Sequence, residues 1–167
     1  CAAPLLQVRP GERVLDLCAA PGGKTTQLAA RMRGQGVLIA NEYVFDRAKI
    51  LSQNVERMGI VNCAVVSAST EELAEALGGY FDKVLVDAPC SGEGMFRKDP
   101  GAIAEWSEEN VARCIARQRD ILDDAARLVR AGGRLVYSTC TFARGEDEEQ
   151  VENFLARHAA FALLEQH

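Results

Sequence analysis

Short apolar runs alternate along this chain with longer segments whose apolar residues recur every three or four positions. The runs RVLDL (13–17), GVLIANE (36–42), AVV (64–66), DKVLVDA (82–88) and GRLVYST (133–139) predict strands. Between and after them, KTTQLAARM (24–32), DRAKILSQNVERM (46–58), EELAEAL (71–77), ENVARCIARQRDILDDAARLV (109–129) and EDEEQVENFLARH (146–158) predict helices. This alternation predicts an α/β fold, a mostly parallel sheet with helices on both faces, because parallel neighbours need a crossover and a helix is the compact one. VLV and LVY are apolar without a break, as a strand covered on both faces requires. The pattern lapses between Ala88 and Ser107, a stretch long enough to mark a functional loop.

Composition narrows the class. A chain of 167 residues that is 48% apolar and 26% charged can bury one core, so residues 1–167 are expected to form one domain. No apolar run approaches the ~20 residues of a membrane-spanning helix. No basic-then-apolar leader opens the chain either, which points to a cytoplasmic protein without a membrane partner. Six cysteines lie at 1, 18, 63, 90, 114 and 140 without a C-x-x-C pair, so metal and disulfide frameworks are not expected. The net charge of −5 argues against a surface that coats nucleic acid generally, while leaving room for a local basic track.

Three unusual peptides follow strands, where α/β sheets bind ligands: CAAPGGK after the first, DAPCSGEG after the fourth and STCTF after the fifth. Gly23, Lys24 and Thr25 match the end of a phosphate loop, but Cys18 stands where its first glycine belongs and Pro21 removes a backbone donor. What survives is a tight turn with close backbone approach at Gly22 and Gly23, leading into a helix N-terminus that favours a carboxylate. The second strand ends in Asn41 and Glu42, and an acid there suits ribose hydroxyls. A nucleoside bearing a carboxylate answers both features, and S-adenosylmethionine is such a molecule.

Cys90 and Cys140 stand at strand ends, whereas Cys18, Cys63 and Cys114 read as small buried apolar residues. With no histidine nearby in sequence, the two thiols need another activating cation, for which Lys24 is a candidate. A thiolate added to C6 of cytosine breaks the ring's aromaticity and makes C5 nucleophilic. Asp87 suits the cytosine amino group, and the second cysteine suits the release step.

With PGERVLDLCAAPGGKTT, NEYVFDRAKIL, FDKVLVDAPCSGEGMFRKDP and GGRLVYSTCTF in order, nearly the whole chain resembles the NOL1/NOP2/Sun family of RNA cytosine-5 methyltransferases, most closely its bacterial ribosomal RNA branch. The resemblance implies S-adenosylmethionine as cofactor, held by the backbone of Cys18, Ala19, Ala20, Pro21, Gly22, Gly23 and Lys24, by Glu42 at the ribose, and by Arg47 and Asp87. It implies Cys140 as the nucleophile and Cys90 as the residue that promotes release, with Asp87 and Lys24 at the base or transferring centre. RNA of the small ribosomal subunit is the implied substrate, and the chain looks like the catalytic core of a longer protein with separate RNA-binding parts.

The chain departs from the family pattern in two peptides. VVSAST offers Ser67 or Ser69 where relatives carry a polar residue, often an aspartate, near the adenine, and ARGEDEE replaces P-x-E-N-E after the nucleophile. Arg97 and Lys98 are the expected phosphate contacts. Trp106 offers a stacking surface but is expected in the core. Three other readings stay open at this point: a DNA cytosine-5 methyltransferase using Cys90 within Ala88-Pro89-Cys90, a P-loop nucleotide-binding protein using Gly23-Lys24-Thr25, and an RNA-binding factor without catalysis.

Overall fold

A computed structural model describes residues 2–97 and 100–164. The chain divides into two compact units, Cys1–Asp87 with Asp124–Ser138, and Ala88–Asp123 with Thr139–His167. The first unit holds α1 (Ala2–Leu5), β1 (Arg13–Asp16), α2 (Gly23–Met32), β2 (Val37–Asn41), α3 (Phe45–Arg57), β3 (Cys63–Val66), α4 (Thr70–Leu77) and β4 (Phe81–Asp87). It also holds the end of a long helix, α6 (Glu108–Leu128), and β5 (Val129–Ser138). The strands form one five-stranded sheet in the order β3-β2-β1-β4-β5, every pair parallel.

The burial pattern follows from side-chain spacing. In α2, Thr25, Leu28, Ala29 and Met32 fall at i, i+3, i+4 and i+7 and are the buried residues. With Ala3 and Leu6, that apolar stripe packs on Val14, Leu38 and Leu85, which share one sheet face. Ala48, Leu51 and Val55 are the buried residues of α3, and Leu51 and Val55 cluster with Ala40. On the opposite face Leu15, Val84 and Val86 are fully buried as well, so the sheet is covered on both sides, as its unbroken apolar strands predict. Thr70 donates from its hydroxyl to Asp124 at 2.6 Å, tying α4 to the end of α6.

Because the strands are parallel, Asp16, Asn41, Val66, Asp87 and Ser138 end along one edge. The order reverses between β1 and β4, and such a reversal opens a ligand crevice at the carboxyl ends. Two details differ from the pattern-based expectation. β5 starts at Val129 rather than Gly133, with a register irregularity between Phe81 and Lys83 opposite it. The interval from Ala88 to Ser107 is not wholly irregular.

The second unit contains that interval, with a 3-10 turn at Glu93–Met95 and α5 (Pro100–Glu105), followed by the first part of α6, a 3-10 turn at Arg144–Glu146 and α7 (Glu148–Arg157). Elements of one or two turns are too short to impose a period on the sequence, which is why α1 and α5 left no signature. Gln150 of α7 donates to the Ile115 carbonyl of α6 at 2.6 Å, and Phe154 stacks against His158 and Phe161 with ring centroids 4.5 and 5.1 Å away.

Candidate functional site

In the first unit the turn after β1 is held by backbone and side-chain bonds on all sides. Leu17 N–H donates to the Leu85 carbonyl at 2.9 Å and Ala19 N–H to the Asn41 carbonyl at 2.8 Å. From α3, Arg47 donates to the Ala20 carbonyl at 3.2 Å and Asn54 to the Pro21 carbonyl at 2.7 Å. Gly22 has φ 109°, and a Cβ there would stand 2.9 Å from Leu51 Cδ1, so only glycine fits. No side chain caps α2 and no acid occupies its first turn. Its leading amides therefore present an anion site of the kind a carboxylate takes.

Asp16 lies under this turn, fully buried, and accepts from the Thr25 hydroxyl at 2.7 Å through one oxygen while the other has no partner. Burial is the main cause that lifts its pKa to about 7, with the Thr25 bond opposing. Sequence reasoning left Asp16 out of the site, although an acid inside an otherwise apolar run was a signal. The anion site of α2, the orphaned Asp16 oxygen and the glycine cradle together fit a compact zwitterionic ligand group.

Lys24 and Asp87 meet across the strand reversal, Nζ to Oδ2 at 2.5 Å, each side chain about one-third exposed at 30% and 34%. Asp87 accepts from the Ser138 hydroxyl at 2.8 Å with its other oxygen. Glu42, buried at the end of β2, accepts from Val44 N–H at 3.0 Å and lies 3.5 Å from Arg47. Arg47 thus links Glu42 to the Ala20 carbonyl and acts on the turn. Ser67 donates to the Tyr43 carbonyl at 3.3 Å, and Ser69 forms the capping box of α4 with Glu72, so each serine hydroxyl is already engaged. Asn41 is buried beside them, bonded to the Leu17 and Ala68 carbonyls and to Ala68 N–H.

In the second unit the sulfurs of Cys90 and Cys140 lie 3.0 Å apart, and Cys140 N–H points at Cys90 Sγ at 3.4 Å. Cys140 is exposed and Cys90 is half-buried. Burial first, then the bond to Cys140, pushes the Cys90 thiol up to about 12. Cys90 therefore keeps its proton at neutral pH. Gly94 N–H donates to the Cys140 carbonyl at 2.7 Å, and a Cβ at Gly94 would stand 2.5 Å from that oxygen.

A buried carboxylate organises both cysteine loops. Glu146, with no exposed surface, accepts from Ser91 N–H at 3.0 Å, from the Ser91 hydroxyl at 2.5 Å and from Gln118 at 2.8 Å. Gln118 also donates to the Pro89 carbonyl at 3.0 Å, and the Ser91 and Thr141 hydroxyls share a 3.0 Å bond. Sequence reasoning missed Glu146 because its partners come from segments far apart in the chain.

Trp106 is 39% exposed, not part of a core, and its indole N–H donates to Glu93 at 3.0 Å. Glu93 also accepts from Phe142 N–H at 3.0 Å, and the Phe142 ring beside the nucleophile candidate is 80% exposed. Arg97 is exposed in the same unit, and Lys98 lies outside the described residues. Of the three cysteines read as small buried apolar residues, Cys114 is buried and Cys18 and Cys63 are partly buried, and burial raises the thiols of Cys18, to about 12, and Cys63, to about 11, and that of Cys114 as well. Among the described residues no cluster of histidine, cysteine, aspartate or glutamate could hold a metal, and no helix is long and apolar enough to cross a membrane.

The sequence profile described as 16S rRNA methyltransferase RsmB/F matches residues 3–167. The Ribosomal RNA small subunit methyltransferase F of Salmonella agona (strain SL483) is 50% identical over 138 residues, covering 83% of this chain and 29% of that protein. The protein of the same name from Escherichia coli O157:H7 is 49% identical over 137 residues, covering 82% of this chain and 29% of its own length. This chain thus spans less than a third of the length of these two relatives. Among solved structures, NSun6 from Pyrococcus horikoshii with SFG superposes with a TM-score of 0.84 at 31% identity, covering 93% of this chain and 40% of that one. A SAM-dependent O-methyltransferase from Thermotoga maritima, at 19% identity and a TM-score of 0.61, shares the fold alone. The sheet is that of Rossmann-like S-adenosylmethionine-dependent methyltransferases, and the chain belongs to the 16S rRNA methyltransferase RsmB/F family.

Proposed function

We propose that residues 1–167 act as one catalytic domain that methylates C5 of a cytosine in small-subunit ribosomal RNA. The reading rests on family membership for the reaction class and on the thiol pair for the chemistry. S-adenosylmethionine, the family's cofactor, supplies an electrophilic methyl group when bound. The uncapped start of α2 receives its carboxylate, Asp16 lies beneath, and Glu42 receives the ribose.

The observation that carries the reading is the pairing of an exposed Cys140 with a half-buried Cys90 at 3.0 Å. An exposed thiol can reach C6 of a cytosine. Addition there makes C5 nucleophilic and loads negative charge onto N3 and O2. Lys24 and Asp87, already paired, can stabilise that charge and hold the exocyclic amine. Completion passes the C5 proton to solvent water, and the freed electron pair re-forms the C5–C6 double bond and expels the Cys140 sulfur as a thiolate. Cys90, half-buried 3.0 Å from the Cys140 sulfur with its thiol raised by burial, can give its proton to the departing sulfur, which supports Cys90 as the residue that aids release. The target cytosine must leave its stack to be reached, as base-modifying enzymes require.

The test is a pair of substitutions in the full-length protein. Cys140→Ala abolishes methyl transfer to ribosomal RNA, and Cys90→Ala builds up a protein–RNA adduct that survives a denaturing gel. The opposite pattern, with adduct trapped only by Cys140→Ala, would mean that Cys90 is the nucleophile, as in the DNA-type alternative. Bisulfite mapping of small-subunit RNA from cells with and without the gene then locates the cytosine.

A further inference from the structure

The far end of α2 from the glycine turn carries a second concentration of unusual features. Val8, Arg9, Pro10, Ala30, Arg31 and Arg33 line a cleft of about 520 Å³. Its three arginines are exposed, and among the described residues their guanidinium groups have no hydrogen-bond or ion-pair partner. Lys83 stands within electrostatic reach of Arg9 and of Arg134: burial lowers its pKa first, Glu12 opposes, and Arg134 and Arg9 press it down. The acids nearby are already engaged. Glu12 accepts from Arg9 N–H at 2.8 Å and lies 4.0 Å from Lys83, while Asp82 is held by Arg13 and Arg130. A chain of net charge −5 has gathered at one place three arginines that are unpaired among the described residues.

Cations at a helix C-terminus complement its dipole, and that accounts for Arg31 and Arg33 in part. It does not account for Arg9, which precedes β1. The left-handed φ of 54° at Arg33 is that of the α2 C-cap, whose N–H donates to the Ala29 carbonyl and turns the chain beside the cleft.

We infer that this cleft binds consecutive phosphates of the RNA backbone and holds the substrate at a point remote from the chemistry. The inference rests on the reading that the substrate is RNA. Guanidinium groups recognise phosphate oxygens in forked geometry, and a floor of Val8, Pro10 and Ala30 offers no aromatic face for a base to stack on, so the contact is to the backbone and not to sequence. α2 spans its 10 residues at a rise of about 1.5 Å each, which sets the cleft roughly 15 Å along the helix from the glycine turn. Two contact points so separated suit a folded RNA. A short single strand that reaches only the glycine turn and the thiols gains nothing from the cleft.

The experiment uses the full-length protein with Arg9→Gln, Arg31→Gln and Arg33→Gln combined, and a matched control on exposed positions of α6, Arg113→Gln, Arg117→Gln and Arg119→Gln combined. Filter binding of small-subunit RNA is measured from low to high salt, with calorimetry of S-adenosylmethionine alongside. Three lost phosphate contacts, each worth about 0.7–0.9 in slope, flatten the dependence of log affinity on log salt by about 2–3 and weaken binding on the order of a hundredfold near 0.1 M salt. Cofactor affinity stays at the wild-type value, and the control changes neither slope nor affinity to that extent. Wild-type binding and slope in the cleft variant, or an equal loss in the control, overturns the inference. If the wild-type protein binds RNA through the cleft but methylates no cytosine, the assignment of the thiol site fails and the cleft stands.

Discussion

The glycine turn of the first unit and the thiol loops of the second solve the same task, holding reactive groups still, by different means. The turn is fixed mainly by neighbours in the fold: the Asn41 and Leu85 carbonyls of β2 and β4, which accept from amides of the turn, one face of α3, and its own glycine at φ 109°. The thiol loops have no strand beside them within their unit. They are fixed by side chains, with Glu146 taking donors from Ser91 and Gln118, and Thr141 joined through Ser91. Backbone-built sites tolerate side-chain change and fail when the backbone is blocked. Side-chain-built sites fail when one buried polar group loses its partner.

The sharpest way to break that contrast is Glu146→Ala. It removes three hydrogen bonds to a buried carboxylate, leaving the Ser91 hydroxyl only Thr141, Gln118 only the Pro89 carbonyl and the Ser91 amide without the carboxylate, at a combined cost of roughly 3–5 kcal/mol. Hydrogen exchange is expected to rise across residues 88–97 and 139–147, with adduct formation reduced and cofactor affinity kept. Protection unchanged in those segments would mean that the buried carboxylate is dispensable.

Asp16 provides the next effect. Its folded pKa is raised from 3.8 to about 7, chiefly by burial, so between those values the native state holds a proton that the unfolded chain gives up. Stability therefore falls as pH rises from about 4 to about 7, by at most about 4 kcal/mol, and is level above that. Asp16→Asn still accepts from Thr25 and removes this slope, which melting temperatures across pH 4–8 will read. A slope that survives the substitution must come from another group.

The smallest expected effect is that of Gly22→Ala, about 2 kcal/mol, because φ 109° suits only glycine and the added Cβ meets Leu51 Cδ1 at 2.9 Å. Cofactor affinity is expected to drop about tenfold, while the alkylation rate of Cys140 keeps its wild-type value. A change in that rate would mean that the two regions are not built separately.

The two regions also differ in how far the amino-acid order reveals them. The turn announces itself: glycines, a proline and a lysine between an apolar run and a helical period leave few conformations, so Lys24, Glu42 and Asp87 were legible as candidates. Arg47 entered only through the family resemblance, and its observed bonds brace Ala20 and Glu42. Ser69, assigned to the cofactor by analogy with relatives, sits in S-T-E-E, a capping-box sequence, and that local signal describes its observed bonds. Trp106 illustrates the limit of composition, since a lone large aromatic reads as core unless its polar partner, here Glu93, is known.

The sequence by itself determined the parallel α/β sheet, the order of its elements and the peptides that end its strands, because periodicity and turn chemistry act over a few residues and need no distant partner. Only the tertiary structure decided that Cys90 and Cys140 face each other at 3.0 Å, that Glu146 is buried between their loops, and that Arg9 joins Arg31 and Arg33 around one cleft. Those arrangements join residues tens of positions apart, and the proximity of such residues is created by packing, which leaves no period along the chain.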